Sequence, residues 1–345
     1  MRRRLQIALL RGSLAALLAS LLLSGCEPTP PTPVAQQPIE AMLRSQAELA
    51  LEQLLAQQQG ERLRRLSASS RVFQDAIIGL LGDPVELRLS TAQQAWNQLY
   101  RSFNEAVVLL ACRAAQEPQL APLLQRADPF PILPGYIDGL QQWPDSGIVN
   151  DVSLSLTRES LLGQQGVSAQ EEISLGFQVV GFLLYGEPDA GRTAEALTEV
   201  LEVPEDSPFS LLEQPENRRR VYLQLASDLL VEDLLALSAH ADQLAEIGAH
   251  CPVDALRRAT ERMIRVVSLE DRQLVSAEYY AADARAIALQ GLQDALQPWL
   301  AEQSALRLWL TENGVQASLP LLAAKPDILQ LQQLHAALSA GRSQL

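Results

Sequence analysis

The chain has 345 residues, 48% of them hydrophobic, 20% charged and 5% aromatic, with a mean hydropathy of +0.02. That length and apolar content exclude wholesale disorder and suffice for a full buried core. The 27 basic residues face 41 acidic ones for a formal net charge of −14, which repels phosphate backbones; with no local basic patch to offset it, nucleic acid is excluded as a partner.

The N-terminus reads as an address. Arg2, Arg3 and Arg4 form a basic start, and the uncharged run from Gly12 to Ser24 follows. That run is too short to span a bilayer, which takes about 20 residues, so it reads as the apolar region of a signal peptide. Leu23-Ser24-Gly25-Cys26 resembles the bacterial lipobox, in which the cysteine takes up a lipid and becomes the first residue after cleavage. Glu27 rather than Asp at the next position favours the outer membrane. Removing Arg2, Arg3, Arg4 and Arg11 with the leader leaves 23 bases against 41 acids, a mature charge of −18. Glu27 to Pro38 then holds five prolines in twelve residues, an extended tether of about 3.1 Å per residue.

The body is predicted to be all-α. Ala, Leu, Gln, Glu and Arg dominate from Ile39 onward, and no strand-like alternation appears. Helices are expected at 40–59 and 61–81. Asp83-Pro84-Val85-Glu86 reads as the start of the next, with Asp83 as N-cap, Pro84 at N1 and Glu86 closing a capping box. The helix it opens carries one apolar stripe of Trp96, Leu99, Tyr100, Phe103, Val107 and Leu110. Residues 118–167 read as a long irregular segment punctuated by Pro129, Pro131, Pro134 and Pro144, a length that points to function. A helix is expected over 168–186. Another carries Leu223, Ala226, Leu230, Leu234, Leu237, Ala241 and Leu244. Further helices are expected at 253–267, 270–301 and 326–340.

Motifs of known chemistry are absent: no phosphate-binding Gly-rich loop, no His-Glu-x-x-His, no Gly-x-Ser-x-Gly and no Cys-x-x-Cys. Of the three histidines, His240, His250 and His335, none lies four residues from another. His240 with Glu232 and Asp233 reads as a solvated acidic face rather than a metal site, and so does the pair Asp228 and Glu232. Adjacent Glu171 and Glu172 do not face one another on a helix and read as capping or solvated groups. Cys112 and Cys251 remain after Cys26, either as a disulfide formed in an oxidising compartment or as two buried thiols.

One stretch carries more. Residues 131–186 resemble the imelysin family of exported helical proteins, which includes insulin-cleaving-type peptidases and iron-regulated surface proteins. Ala95-Trp96 with Tyr100-Arg101 is similar to the family's early helix, and Arg218-Arg219-Arg220-Val221-Tyr222-Leu223 with the following Asp228–Leu234 to a later one. The family signature is Gly-x-His-x-x-Glu on a helix that ends in Phe-Leu-Leu-x-Gly. Here Gly176 and Phe182-Leu183-Leu184-Tyr185-Gly186 match, but Gln178 stands at the His position and Gly181 at the Glu position. Positions i and i+3 share a helix face, so the intact pair converges as a metal or hydrolytic site needs. An amide is a weak ligand and no base, and glycine supplies nothing. The apolar run Ile173–Gly186 therefore reads as a buried core helix.

The resemblance implies two related helical halves, about 40–190 and 191–345, each like a four-helix bundle, with 118–167 near their junction. It suggests Trp96, Asp138, Asn150, Asp151 and Arg192 as cleft residues. It implies a non-catalytic envelope lipoprotein linked to iron acquisition, with Cys26 lipidated, the bilayer and an iron-uptake protein as partners, no required cofactor, and iron or another divalent metal as a conceivable ligand. The rival readings are a metallopeptidase drawing ligands from Asp138, Asp151, Glu171 or Glu172, and a structural envelope scaffold. Acid–base groups in the junction cleft favour the enzyme; an exposed apolar patch there favours the binding protein.

Overall fold

Ser45 caps the first helix by accepting from the Glu48 N–H, and the helix, α1 (Gln46–Gly82), then runs unbroken for 37 residues. The expected break between 40–59 and 61–81 does not form. A helical glycine at Gly60 costs about 1 kcal/mol, less than is gained by burying Leu51, Leu55, Leu63, Leu66 and Phe73 on its two sides. The computed structural model describes residues 45–129, 132–187, 190–203, 205, 207–239, 250–268, 284–314, 319–323 and 326–344. The leader, Cys26 and the Pro-rich tether lie outside them, as do His240, Ala241 and Leu244.

Helix α2 spans Glu86–Gln116, but its N-cap is Val85, not Asp83. Asp83 instead ends α1 and takes the Arg88 guanidinium at 3.0 Å, while the Glu86 carboxylate accepts from the Ala194 N–H. Tertiary partners outcompete the expected capping box. Short helices follow: α3 (Ala121–Ala127), α4 (Pro134–Ile137), α5 (Gly147–Asn150) and α6 (Arg158–Gly163). The segment expected to be irregular is thus a chain of helical turns. Then come α7 (Phe177–Tyr185), α8 (Pro215–Ser238), α9 (His250–Ser268), α10 (Ala284–Leu300), α11 (Ala305–Glu312) and α12 (Ile328–Gln344). Among the described residues there is no strand beyond an isolated bridge between Leu140 and Trp143, and no helix is long and apolar enough to cross a membrane. The fold is all-α.

Helix α2 is the axis. From Ser102 to Arg113 every residue but Val107 is buried, because α1, α9 and α10 all pack on it. Helix α10 comes closest through Gly291, where a Cβ would lie 2.7 Å from the Asn104 Cβ and 2.9 Å from the Arg101 carbonyl. Helix α1 also lies against α8 and α11, and α9 against α12, so one hydrophobic core runs through both expected halves. Cys112 and Cys251 form a disulfide joining α2 to α9, with Cα atoms 5.6 Å apart. A cross-link over so long a loop contributes on the order of 2–5 kcal/mol. The buried Arg113 holds α8 by donating to the carbonyls of Leu237 and Ala239 at its C-terminus.

Three successive arginines on α8 act as clamps, two of them, Arg218 and Arg219, on the segment between α3 and α7. Arg218 donates to the carbonyls of Ile148, Val149, Asp151 and Leu154, gathering the end of α5. Arg220 reaches the carbonyls of Leu81 and Leu197. Arg219 grips Asp138 with Nε at 2.6 Å and Nη2 at 3.1 Å, and Arg192 meets the same carboxylate at 2.8 Å. Burial pushes the Asp138 carboxyl upward, but the Arg219 hydrogen bond and the two guanidinium charges outweigh it and hold it below the ordinary carboxylate range.

A depressed folded value means that Asp138 stabilises the fold in full above the ordinary aspartate pKa of about 3.9, and that this contribution is lost as pH falls through the lower folded value. Asp138→Asn should cost about 3–5 kcal/mol at neutral pH, since it leaves two buried guanidinium groups without a counter-charge. Urea denaturation from pH 7 to pH 3 checks this: the variant should lose part of the acid slope of the parent, and an unchanged slope would contradict it.

Candidate functional site

The helix expected over 168–186 is only α7, and Gly176 explains where it begins. Its φ of +103° is open to glycine, and a Cβ there would lie 2.6 Å from the Arg126 carbonyl and 2.8 Å from that of Ala127. The backbone must turn sharply against the end of α3 before a helix can start. From Phe177 to Leu184 every residue of α7 is buried, Gln178 and Gly181 included. The expectation of a buried core helix holds, over a shorter span.

Aromatic rings wall the start of α7. Phe177 lies 4.9 Å from Tyr100 and 5.0 Å from Phe103, centroid to centroid, and Trp96 packs edge-on at 6.2 Å while its Nε1–H donates to the Phe177 carbonyl at 3.1 Å. Within this wall lies one polar network. The Gln178 amide donates to the Tyr100 hydroxyl at 3.1 Å and to Asp128 Oδ1 at 3.3 Å. Tyr100 donates to Asp128 Oδ2 at 3.2 Å. Arg262, from α9, makes an ion pair with Asp128 and donates to Asn104 Oδ1 at 3.0 Å from Nη2 and 3.2 Å from Nε. Its guanidinium sits 5.7 Å from the Phe103 ring centroid, in cation–π range. Asn104 in turn donates to the Tyr100 carbonyl at 2.8 Å.

This arrangement does not fit a divalent metal. The one carboxylate beside Gln178 already holds a guanidinium and a hydroxyl, the amide presents N–H to it, and Gly181 has no side chain. Among the described residues no three His, Cys, Asp or Glu side chains gather as a metal ion would need. Nor does the network contain a free base.

Asp128 and Arg262 also line a cleft of about 810 Å³. Its walls are α3 with Pro129, the Leu162–Ile173 stretch that leaves α6, and the Arg262–Val266 face of α9. Arg126, on the α3 wall, grips Asp233 of α8 with Nε at 2.8 Å and Nη2 at 2.6 Å. Burial lifts the Asp233 carboxyl above its ordinary value against the pull of Arg126, whereas the Arg158 hydrogen bond lowers neighbouring Glu232.

The other residues singled out in the sequence lie elsewhere. Trp96 is buried in the aromatic wall, Asp138 and Arg192 form the clamp on α8, and Asn150 donates to the Ser146 carbonyl at 2.7 Å. Asp151 accepts from Ser153, and Glu172 accepts from the Ser168 N–H. None of Trp96, Asp138, Asn150, Asp151 and Arg192 lines this cleft. Asp228 and Glu232 do not share a partner: Asp228 bonds to Gln74 and Glu232 pairs with Arg158 at 2.5 Å. Asn104, Asp128 and Arg262 were not singled out. Asn104 is legible in hindsight as the polar residue one turn beyond Tyr100 on the apolar stripe; Asp128 and Arg262 carry no local signal.

No protein-family model and no curated protein matches the chain. Among solved structures, the fold is similar to that of a protein from Parabacteroides distasonis called a "putative iron-regulated protein A precursor", with a TM-score of 0.53 over 86% of this chain and 95% of that one at 12% identity. At that identity the likeness concerns the fold.

Removing Arg262 should expose how strongly the network is coupled. Arg262→Met leaves buried Asp128 without its counter-charge and should cost about 3–5 kcal/mol, while Arg262→Met with Asp128→Asn should recover most of that loss. Chemical denaturation of the parent, Arg262→Met, Asp128→Asn and the double variant measures it; additive losses would contradict a coupled pair.

Proposed function

We propose that this chain is an imelysin-like lipoprotein of the bacterial cell envelope, held by acylated Cys26 at the periplasmic face of the outer membrane, that acts by binding rather than by cleaving. The observation that carries the reading is the hydrogen bonding of Gln178. At the position where the family signature has histidine, an amide donates to Tyr100 and Asp128, and Arg262 engages the carboxylate that remains. A hydrolytic site needs a group to accept a proton or polarise water, and this constellation offers neither. The lipobox-like Leu23–Cys26 and the Pro-rich tether support the anchoring. The fold likeness to a protein named as iron-regulated supports a place in iron acquisition, through a protein partner of the envelope or a ligand in the cleft.

The test uses the full-length protein purified in neutral detergent. It should hydrolyse unfolded peptide substrates no faster than buffer and retain less than stoichiometric metal after dialysis. Its Cys26 should carry a diacylglycerol adduct by mass spectrometry. Peptide hydrolysis that is lost on mutating residues within 131–186 would overturn the binding reading.

A further inference from the structure

We propose that the cleft between α3, α6 and α9 binds an organic anion, with its carboxylate or phosphate held by Arg126, Arg265 and Gln165 and its apolar part on Leu162, Ile173 and Val266. The inference names a ligand class for the binding function and rests on that reading.

The donor and acceptor balance of the lining points to an anion. Arg126 engages Asp233 through Nε and Nη2, leaving the two hydrogens of Nη1 without a partner among the described residues. Arg265 is exposed on the same lining, and its guanidinium makes no ion pair or hydrogen bond among the described residues. Gln165 is oriented by three contacts: its Oε1 accepts from the Ser174 N–H, the Ser174 hydroxyl and the Leu175 N–H, each at 3.0 Å. Its amide nitrogen is therefore left as a pure donor. On the acceptor side, Asp128 is the one carboxylate in the lining, and Arg262 and Tyr100 occupy it. Arg126 is paired with Asp233 and Arg262 with Asp128, so Arg265 leaves the lining with one positive charge uncompensated among the described residues, in a chain of net charge −14.

Such a lining repels a cation, because it offers no unoccupied carboxylate to receive one, and it matches the fork geometry of carboxylate or phosphate. Two of the three donor groups are already fixed, Arg126 by Asp233 and Gln165 by Ser174 and Leu175, so little side-chain entropy is lost on binding. At about 810 Å³ the cleft is too large for a bare inorganic ion and suits a ligand with an organic body. Leu162, Ile173 and Val266 supply the apolar surface for that body.

Titration calorimetry of the full-length protein in neutral detergent tests this with phenyl phosphate, inorganic phosphate and phenol as probes. Phenyl phosphate should bind with 1:1 stoichiometry, inorganic phosphate more weakly, and phenol undetectably. Gln165→Glu keeps the acceptor that orients the side chain and replaces the free amide with a negative oxygen; it should weaken phenyl phosphate at least tenfold. Arg265→Glu, at an exposed position, should do the same, and Arg88→Glu, outside the cleft, should change nothing. Both cleft variants should keep the parent's melting temperature, which separates lost binding from lost folding. Competition by dihexanoyl-phosphatidylglycerol would assign the site to a lipid headgroup, and its failure to compete would assign it to a soluble anion. Absence of phenyl phosphate binding, or equal binding by the parent and both cleft variants, would overturn the proposal. That result would leave the non-catalytic reading standing, since peptide hydrolysis decides it separately.

Discussion

The ion pair between Asp128 and Arg262 is the interaction on which the centre of this molecule depends. It joins the end of α3 to α9, and through Tyr100, Asn104 and Gln178 it draws in α2 and α7. A buried carboxylate must have a counter-charge, and a buried guanidinium must have acceptors for its fork. Here each need is met by the other within an aromatic wall. The same contact decides the chemistry. A carboxylate that is engaged by a guanidinium is not available to ligate a metal or move a proton, and the amide of Gln178 stabilises that state by donating to it.

The same constraint recurs through the fold. Arg113 holds the C-terminal carbonyls of α8, Arg218 those of α5, and Arg192 and Arg219 close on Asp138. The chain is strongly acidic overall, yet its interior is organised by arginines committed to fixed acceptors. This is how a long stretch of short helical turns between α3 and α7 is held without a sheet among the described residues. Arg265 differs from these arginines: it is exposed, and its guanidinium has no partner among the described residues, beside donors of Arg126 and Gln165 that are already oriented.

Much of this architecture was legible in the sequence. The stripe from Trp96 to Leu110 and the apolar positions Leu223 to Leu237 point into the core because helical periodicity alone dictates it. Punctuation was less reliable. Gly60 looks like a boundary and lies inside a continuous helix, while Gly176 looks like an interior residue and is the point where the chain turns. The difference lies in tertiary contacts, the flanking core leucines in one case and the α3 carbonyls in the other. The burial of Gln178 and Gly181 was readable in the apolar run around them, but the network at Gln178 was not: Asp128 and Arg262 are 134 residues apart, and nothing local marks either. Acidic residues that are neighbours in sequence, such as Asp228 and Glu232, proved to serve separate partners.

The central claim is that Gln178 and Gly181 lie in packed core, with the Gln178 amide committed to Tyr100 and Asp128, rather than in an open pocket. Introducing an ionisable pair on α7 tests it most directly. The Gln178→His, Gly181→Glu double variant, followed by chemical denaturation and metal titration, should lose several kcal/mol of stability, because it buries a carboxylate on a helix whose residues from Phe177 to Leu184 are all inside. It should bind no metal more tightly than the parent. A double variant that keeps the parent's stability and takes up one equivalent of a divalent metal would contradict the account.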